Sequence, residues 1–312
     1  MPYVTRMTDR PDVPDLVVSR AVLPFHLPEL GVRGRLVRLG PLADAILARH
    51  DHAPAVASLT GRALALVAAL ASMMKFEGSF SLQTKGDGPV SMLVVDCTHG
   101  GALRGYARVA DGVPATADDA ALLGQGYLAF TLDQGAEMER HQGIVAIEGA
   151  NLAAMAEHYF TTSEQMHCLV RLAAARTEQG WRAACLMLQR VAASGGRDPD
   201  RAWNEDLDEA SDIEGWREAA ALAATVTETE LLDAALAPED LLFRLFHDTT
   251  IMADTYRVLA YGCRCSRARL AGILETFGPE DLDHMAEGAE IVMTCEFCNY
   301  DFRFARAELK QA

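Results

Sequence analysis

Seven cysteines occur in the 312 residues, and four of them are paired at short spacing: Cys263 and Cys265 as C-x-C, then Cys295 and Cys298 as C-x-x-C after 29 intervening residues. Each pair can deliver two thiolates to one tetrahedral ion, and the separation leaves room for a helical hairpin between them. The pattern therefore predicts one zinc site with Cys263, Cys265, Cys295 and Cys298 as ligands. Disulfides within the pairs would be structural only at some cost, because they close loops of three and four residues that gain little chain entropy and strain easily.

Thiolates are also the form of cysteine that oxidants attack, passing through a sulfenic acid to a disulfide where a second sulfur is adjacent, and each pair carries its own resolving partner. In small zinc modules the metal-binding free energy, on the order of 10 kcal/mol or more, is folding free energy, so oxidising the ligands would unfold the module. A permanent structural zinc site satisfies the same spacing, and the four cysteines alone do not choose between the two.

Four cysteines fill a tetrahedral shell and leave no open position for a catalytic zinc. The chain has no G-x-x-x-x-G-K-[ST], and the GDG and GQG triplets at 86–88 and 124–126 read as turns, so we expect a non-enzyme that needs no nucleotide. Cys97, Cys168 and Cys185 lie in apolar or mixed surroundings and read as buried packing residues. Cys97 with His99 could pair a nucleophile with a base, but no third partner is evident. Asp133, Glu137, Glu139 and Glu148, among 44 acidic residues, read as solvated surface, and His141 and His158 as structural.

Composition sets the frame for these residues. Half of the chain is hydrophobic, enough for a core, and the net charge is -16. Residues 194–258 carry five arginines against 16 acidic residues, so 11 of those charges fall in one stretch. An acidic surface repels phosphates and argues against a nucleic-acid partner. The most apolar run, Ala63 to Met74, is closed by Arg62 and Lys75 and is short of the ~20 residues of a membrane span. With no charged start leading into an apolar run, and cysteines that suit a reducing compartment, the expectation is a cytoplasmic protein with no membrane partner.

The elements that must position the cysteines follow from periodicity. Residues 1–19 read as a loose leader, 32–39 as a half-buried strand and 54–75 as a long buried helix. Strands over 79–84, 90–96 and 103–109 form a meander joined by glycine turns, with further strands at 126–133 and 144–148. Helices are expected over 151–160, with Asn151 as cap, and over 163–178, with 181–190 a strand or short helix. The fold class is α+β: an antiparallel sheet and helix domain at 20–193, a helical linker at 194–258 and a small zinc-binding domain at 259–312. Within the linker, 194–215 is an acid-rich hinge, followed by short amphipathic helices at 216–226, 230–236 and 239–247 that need something to pack on.

CRCSRARL at 263–270 and TCEFCNYDFRF at 294–304 resemble the redox-switch module of the bacterial thirty-three-kilodalton heat-shock holdase family. The resemblance runs upstream through KFEGSFSLQTKGDGPVSMLVVDC at 75–97, GYLAFTLDQG at 126–135, GIVAIEG at 143–149, SEQM at 163–166 and ELLDAALAPEDLLFRLFH at 230–247. It implies a stress-response chaperone that is zinc-bound, monomeric and inactive when reduced. On oxidation it implies disulfides at Cys295–Cys298 and then Cys263–Cys265, zinc release, loss of structure in the middle region, dimerisation and binding of unfolded client proteins. The competing reading is a zinc-ribbon protein that binds nucleic acid or works in translation, with purely structural zinc. The chain departs from the family pattern in a longer leader, in His167 and Cys168 after SEQM where proline and threonine are usual, and in an expanded acidic hinge.

Overall fold

The structure is a computed structural model, and residues 13–113, 115–135, 138–191 and 209–309 are described. Its centre is an 11-stranded sheet. The strands are β1 (Val17–Leu27), β2 (Val32–Arg38), β3 (Ser79–Gly86), β4 (Val90–Thr98), β5 (Ala102–Val109), β6 (Gly126–Asp133), β7 (His141–Ala146), β8 (Cys168–Thr177), β9 (Gly180–Arg190), β10 (Met252–Ala253) and β11 (Arg257–Tyr261). They lie in the order β7-β6-β3-β4-β5-β11-β1-β2-β9-β8, with β10 added beside β1. Pairing is antiparallel except where β11 lies parallel to β5. That pair matters for function, because β11 leads directly into Cys263.

One face of the sheet packs on α1 (Pro41–Leu47), α2 (Pro54–Met73) and α4 (Leu152–Ser163), while α3 (Asp119–Leu123) closes the turn end of β3 and β4. Helix α2 starts with Pro54 in the first turn, where its missing N–H costs nothing, and is apolar almost all round, as a fully enclosed helix must be. Its 20 residues and mean hydropathy of 1.6 would suffice to cross a bilayer, but it lies inside the protein core. Asn151 caps α4 by accepting from the Ala154 amide at 3.0 Å, as expected.

The opposite face of β1, β2, β8 and β9 is covered by α5 (Glu209–Ala224), α6 (Glu228–Leu232) and α7 (Pro238–Phe246). Leu23, Phe25, Leu27 and Leu36 from the sheet meet Ala219, Ala223, Leu241, Leu245 and Phe246 from these helices. A third apolar cluster, of Leu274, Leu282, Ile291, Phe302, Phe304 and Leu309, belongs to the C-terminal elements α8 (Arg267–Leu274), α9 (Pro279–Met285), β12 (Glu290–Cys295) and β13 (Tyr300–Ala305).

Three sequence expectations need correction. Residues 163–178 are not a helix: Ser163 ends α4, and 168–177 form β8, hairpinned to β9 through ten register pairs. Alanine favours helix intrinsically, yet Ala173, Ala174 and Ala175 are wanted here for thinness, since a side chain at Gly61 of α2 would already collide with Ala174. Helix α6 is capped by Thr227, in a capping box with Glu230. The leader expected at 1–19 lies outside the described residues up to position 12, and the chain is already in β1 by Val17. Of the acidic hinge, 194–208 lie outside the described residues, and α5 begins at Glu209, inside the stretch read as hinge.

Candidate metal centre

All four paired cysteines converge. Their Sγ atoms lie within 4.8 Å of one another, with Cys263 3.3 Å from Cys265 and 3.8 Å from Cys295, and Cys265 3.5 Å from Cys298. A tetrahedron of sulfurs at the usual zinc–thiolate bond length of about 2.3 Å has edges of about 3.8 Å, so the donor set and its spacing fit a zinc ion. Among the described residues no other group of three or more potential ligands gathers in this way.

Local chemistry explains the convergence. Gly262 lets the chain pass so close to β5 that a Cβ there would sit 2.6 Å from the main chain of Ala102 and Leu103, and its own amide donates to Leu103 at 2.8 Å. The C-x-C pair is thereby fixed to the sheet. Ser266 then caps α8 by accepting from the Arg269 amide at 3.2 Å. The C-x-x-C pair occupies the turn between β12 and β13, closed by Asn299 at φ 51, whose amide donates to the Cys295 carbonyl at 2.7 Å. Asparagine tolerates that left-handed conformation better than most residues. The alternation of YDFRFA and the apolar run within EIVMTC, which frame this turn, are a strand signal readable in the sequence.

On their own, four sulfurs this close cannot all ionise. The Cys295 thiol is pushed far down because the Cys263 and Cys298 sulfurs and nearby main-chain groups hydrogen-bond to its anion. Cys298 is pushed up by bonding to Cys263 and Cys295. Cys265 rises to about 12, first through burial and then through its bond to Cys263. A divalent cation would take the place of the protons these sulfurs share and hold them as thiolates.

The surroundings of the centre come from the sheet. Asp96 of β4 accepts from the Arg104 Nε of β5 at 2.6 Å and from the guanidinium of Arg264, the residue between Cys263 and Cys265. Arg104 also stacks over the ring of Phe297, between Cys295 and Cys298, at 3.8 Å. Tyr106 meets the same ring edge-on at 4.9 Å, and Arg108 pairs with Glu296 at 2.7 Å. His50 hydrogen-bonds the Phe297 main chain; burial lowers its pKa, against the opposing pull of that bond and of Cys295. Asn299 Nδ2 donates to the Arg49 carbonyl at 3.0 Å. None of these core residues was singled out from sequence, because their role depends on two segments about 200 positions apart meeting on one sheet face.

The remaining candidates stay apart from the centre. Cys97 and Cys185 are buried and Cys168 partly so, and burial raises all three thiols, Cys97 and Cys168 to about 12. The His99 ring bonds the Gly78 main chain, with no hydrogen bond to Cys97. Asp133 pairs with Arg140 at 2.9 Å, and Glu148 lies 3.6 Å from His158, both at the surface. Glu137 lies outside the described residues.

Comparison with known proteins agrees with this architecture. The profile of the Hsp33 protein family matches residues 21–305. The 33 kDa chaperonin of Caulobacter vibrioides is 39% identical over 295 residues, covering 91% of this chain and 94% of its own. That of Pseudomonas aeruginosa is 36% identical over 290 residues, covering 92% of each. The crystal structure of the 33 kDa chaperonin from Thermotoga maritima superposes with a TM-score of 0.76 at 20% identity, covering 93% of this chain and 96% of that one. The chain belongs to the Hsp33 family of heat-shock chaperones.

Proposed function

We propose that the protein is a cytoplasmic, ATP-independent holdase switched by oxidation of Cys263, Cys265, Cys295 and Cys298. Reduced, the four thiolates hold one Zn2+ and the chain is an inactive monomer. Oxidised, the pairs become the disulfides Cys295–Cys298 and Cys263–Cys265, the middle segment gives up its packing, and the dimer binds unfolding proteins without turning over any substrate. We assign residues 20–193 to the chaperone core, 194–258 to the metastable linker and 259–312 to the redox-switch domain.

The observation that carries this reading is the cysteine centre, with four sulfurs within 4.8 Å and a resolving sulfur beside each attacking one. Each disulfide takes two electrons from its pair. One thiolate attacks a peroxide oxygen and becomes a sulfenic acid as hydroxide leaves; its partner then displaces hydroxide from that sulfur as the S–S bond forms. The donor set for the ion is then gone. The linker supports the same reading, since α5, α6 and α7 bury an apolar sheet face that would otherwise be exposed as adhesive surface.

The test titrates peroxide or hypochlorite at mildly raised temperature, following zinc release with a colorimetric chelator and suppression of client aggregation in the same samples. Zinc release and holdase activity should rise together and reverse with reductant and zinc. Zinc that stays bound, or leaves without activity, means a structural centre and rejects the switch.

A further inference from the structure

Both chelating loops are held by one cross-strand pair of the core sheet. Asp96 and Arg104 are register partners on β4 and β5, on the face turned away from α2. Asp96 is only 6% exposed and binds two guanidiniums, one from its own sheet and one from Arg264 inside the C-x-C pair. Arg104, fixed by Asp96, presents its face to Phe297 inside the C-x-x-C pair. On β5 the two-residue period adds Tyr106 and Arg108 to the same surface, against Phe297 and Glu296. A carboxylate sandwiched between two charge-assisted partners in a largely dry site is strongly coupled to both, and its removal leaves two facing guanidiniums that repel.

We propose that Asp96 is a positioning residue for the cysteine centre: bridging Arg264 and Arg104, it latches both cysteine loops to the sheet and sets how readily the centre opens to chelator or oxidant. Loss of the latch primes the centre without altering any ligand. The proposal deepens the redox reading above but does not depend on it in full, since resistance to a chelator is a property of the reduced protein.

The experiment uses the full-length reduced, zinc-loaded protein and compares wild type with Asp96→Asn, Arg264→Gln and the double variant. It reads two things: the rate of zinc transfer to a competing chelator without oxidant, and hydrogen exchange of the amides around 295–299. Each single variant should lose zinc roughly tenfold faster and exchange faster at these amides, and the double variant should go little beyond the faster single one, the non-additivity expected of partners in one contact. Arg264→Gln leaves the sheet itself untouched and carries the test if Asp96→Asn does not fold. Wild-type zinc transfer and exchange in a folded Arg264→Gln protein, or strictly additive effects, would overturn the latch. Repeating the series with peroxide separates the two claims: faster chelator release with no oxidant response in wild type keeps the latch and rejects the redox switch.

Discussion

The guanidinium of Arg38, on β2, donates to the main-chain oxygen of Glu230 at 2.7 Å, joining the sheet to the segment that covers it across 192 positions of sequence. The same side chain also donates to the carbonyls of Asp233, at 2.8 Å, and Leu236, so three otherwise open acceptors around α6 share one cation. Burial lowers the Arg38 pKa, yet it stays charged at any physiological pH.

Arg38→Met should therefore loosen α6 and α7 while keeping the aliphatic bulk against the sheet. Each carbonyl left without its charged donor costs about 1–3 kcal/mol, a large part of what short helices gain by docking. We expect the reduced variant to bind an environment-sensitive apolar dye more strongly than wild type, with zinc still one per chain. Equal dye binding would mean that apolar packing alone holds the segment.

Packing at the same interface is tested by Gly34. A Cβ at this β2 position would enter the ring of Phe25, which meets Phe246 of α7 at 6.0 Å between centroids. Gly34→Ala should displace Phe25 and cost about 1–3 kcal/mol through overpacking. Phe246→Ala should cost about 3–5 kcal/mol by leaving a cavity at the helix side of the contact. Urea unfolding curves of both variants check these values, and a Phe246→Ala loss below about 1 kcal/mol would mean that α7 contributes little to the folded state.

Much of this was legible in the sequence, and what was not has a common cause. The four cysteines announce their own partnership because metal ligation fixes residue type and short spacing, and the β3–β4–β5 meander announces itself through alternation and glycine turns. The strand at 168–177 hid behind its alanines, whose helical preference was outweighed by pairing with β9 and close approach to α2. The strand at 17–27 hid behind a proline and a histidine at positions where strand β1 meets β10 and β2. Asp96, Arg104 and His50 were unreadable because each acts through a contact with a segment far along the chain.

Acid should weaken the cap of α6. The Thr227 amide donates to Glu230 at 2.9 Å, and this bond, followed by the Thr227 hydroxyl and Arg244, holds the Glu230 carboxyl below its ordinary value. A depressed folded-state pKa stabilises the folded form above the unfolded value of about 4.3, and that contribution is lost as pH falls through the lower, folded-state pKa. Between neutral pH and about pH 5 the cap should be constant; below about pH 4 the protection of the α6 amides, measured against their intrinsic exchange rate at the same pH, should fall. Glu230→Gln should flatten this response, and an unchanged acid profile in that variant would assign the sensitivity to another group.

Removing one sulfur from the cysteine centre should unseat a bound ion. Cys298 is buried, and its sulfur lies 3.5 Å from that of Cys265, so serine at this position removes one of four thiolates without opening space. Zinc affinity should fall by more than about a hundredfold, beyond the range typical of outer-shell partners. Because the cluster of Leu274, Leu282, Ile291, Phe302, Phe304 and Leu309 is small and is tied to the sulfurs through Cys265 and Cys295, losing the ion should melt it, while the core around α2 remains folded. In calorimetry Cys298→Ser should show the transition of the core alone, insensitive to added zinc, where wild type shows in addition a zinc-dependent transition of the C-terminal cluster. A C-terminal transition that survives in Cys298→Ser without bound zinc would mean that the cluster folds without its metal, and that oxidation of the cysteines would have no folding free energy to release.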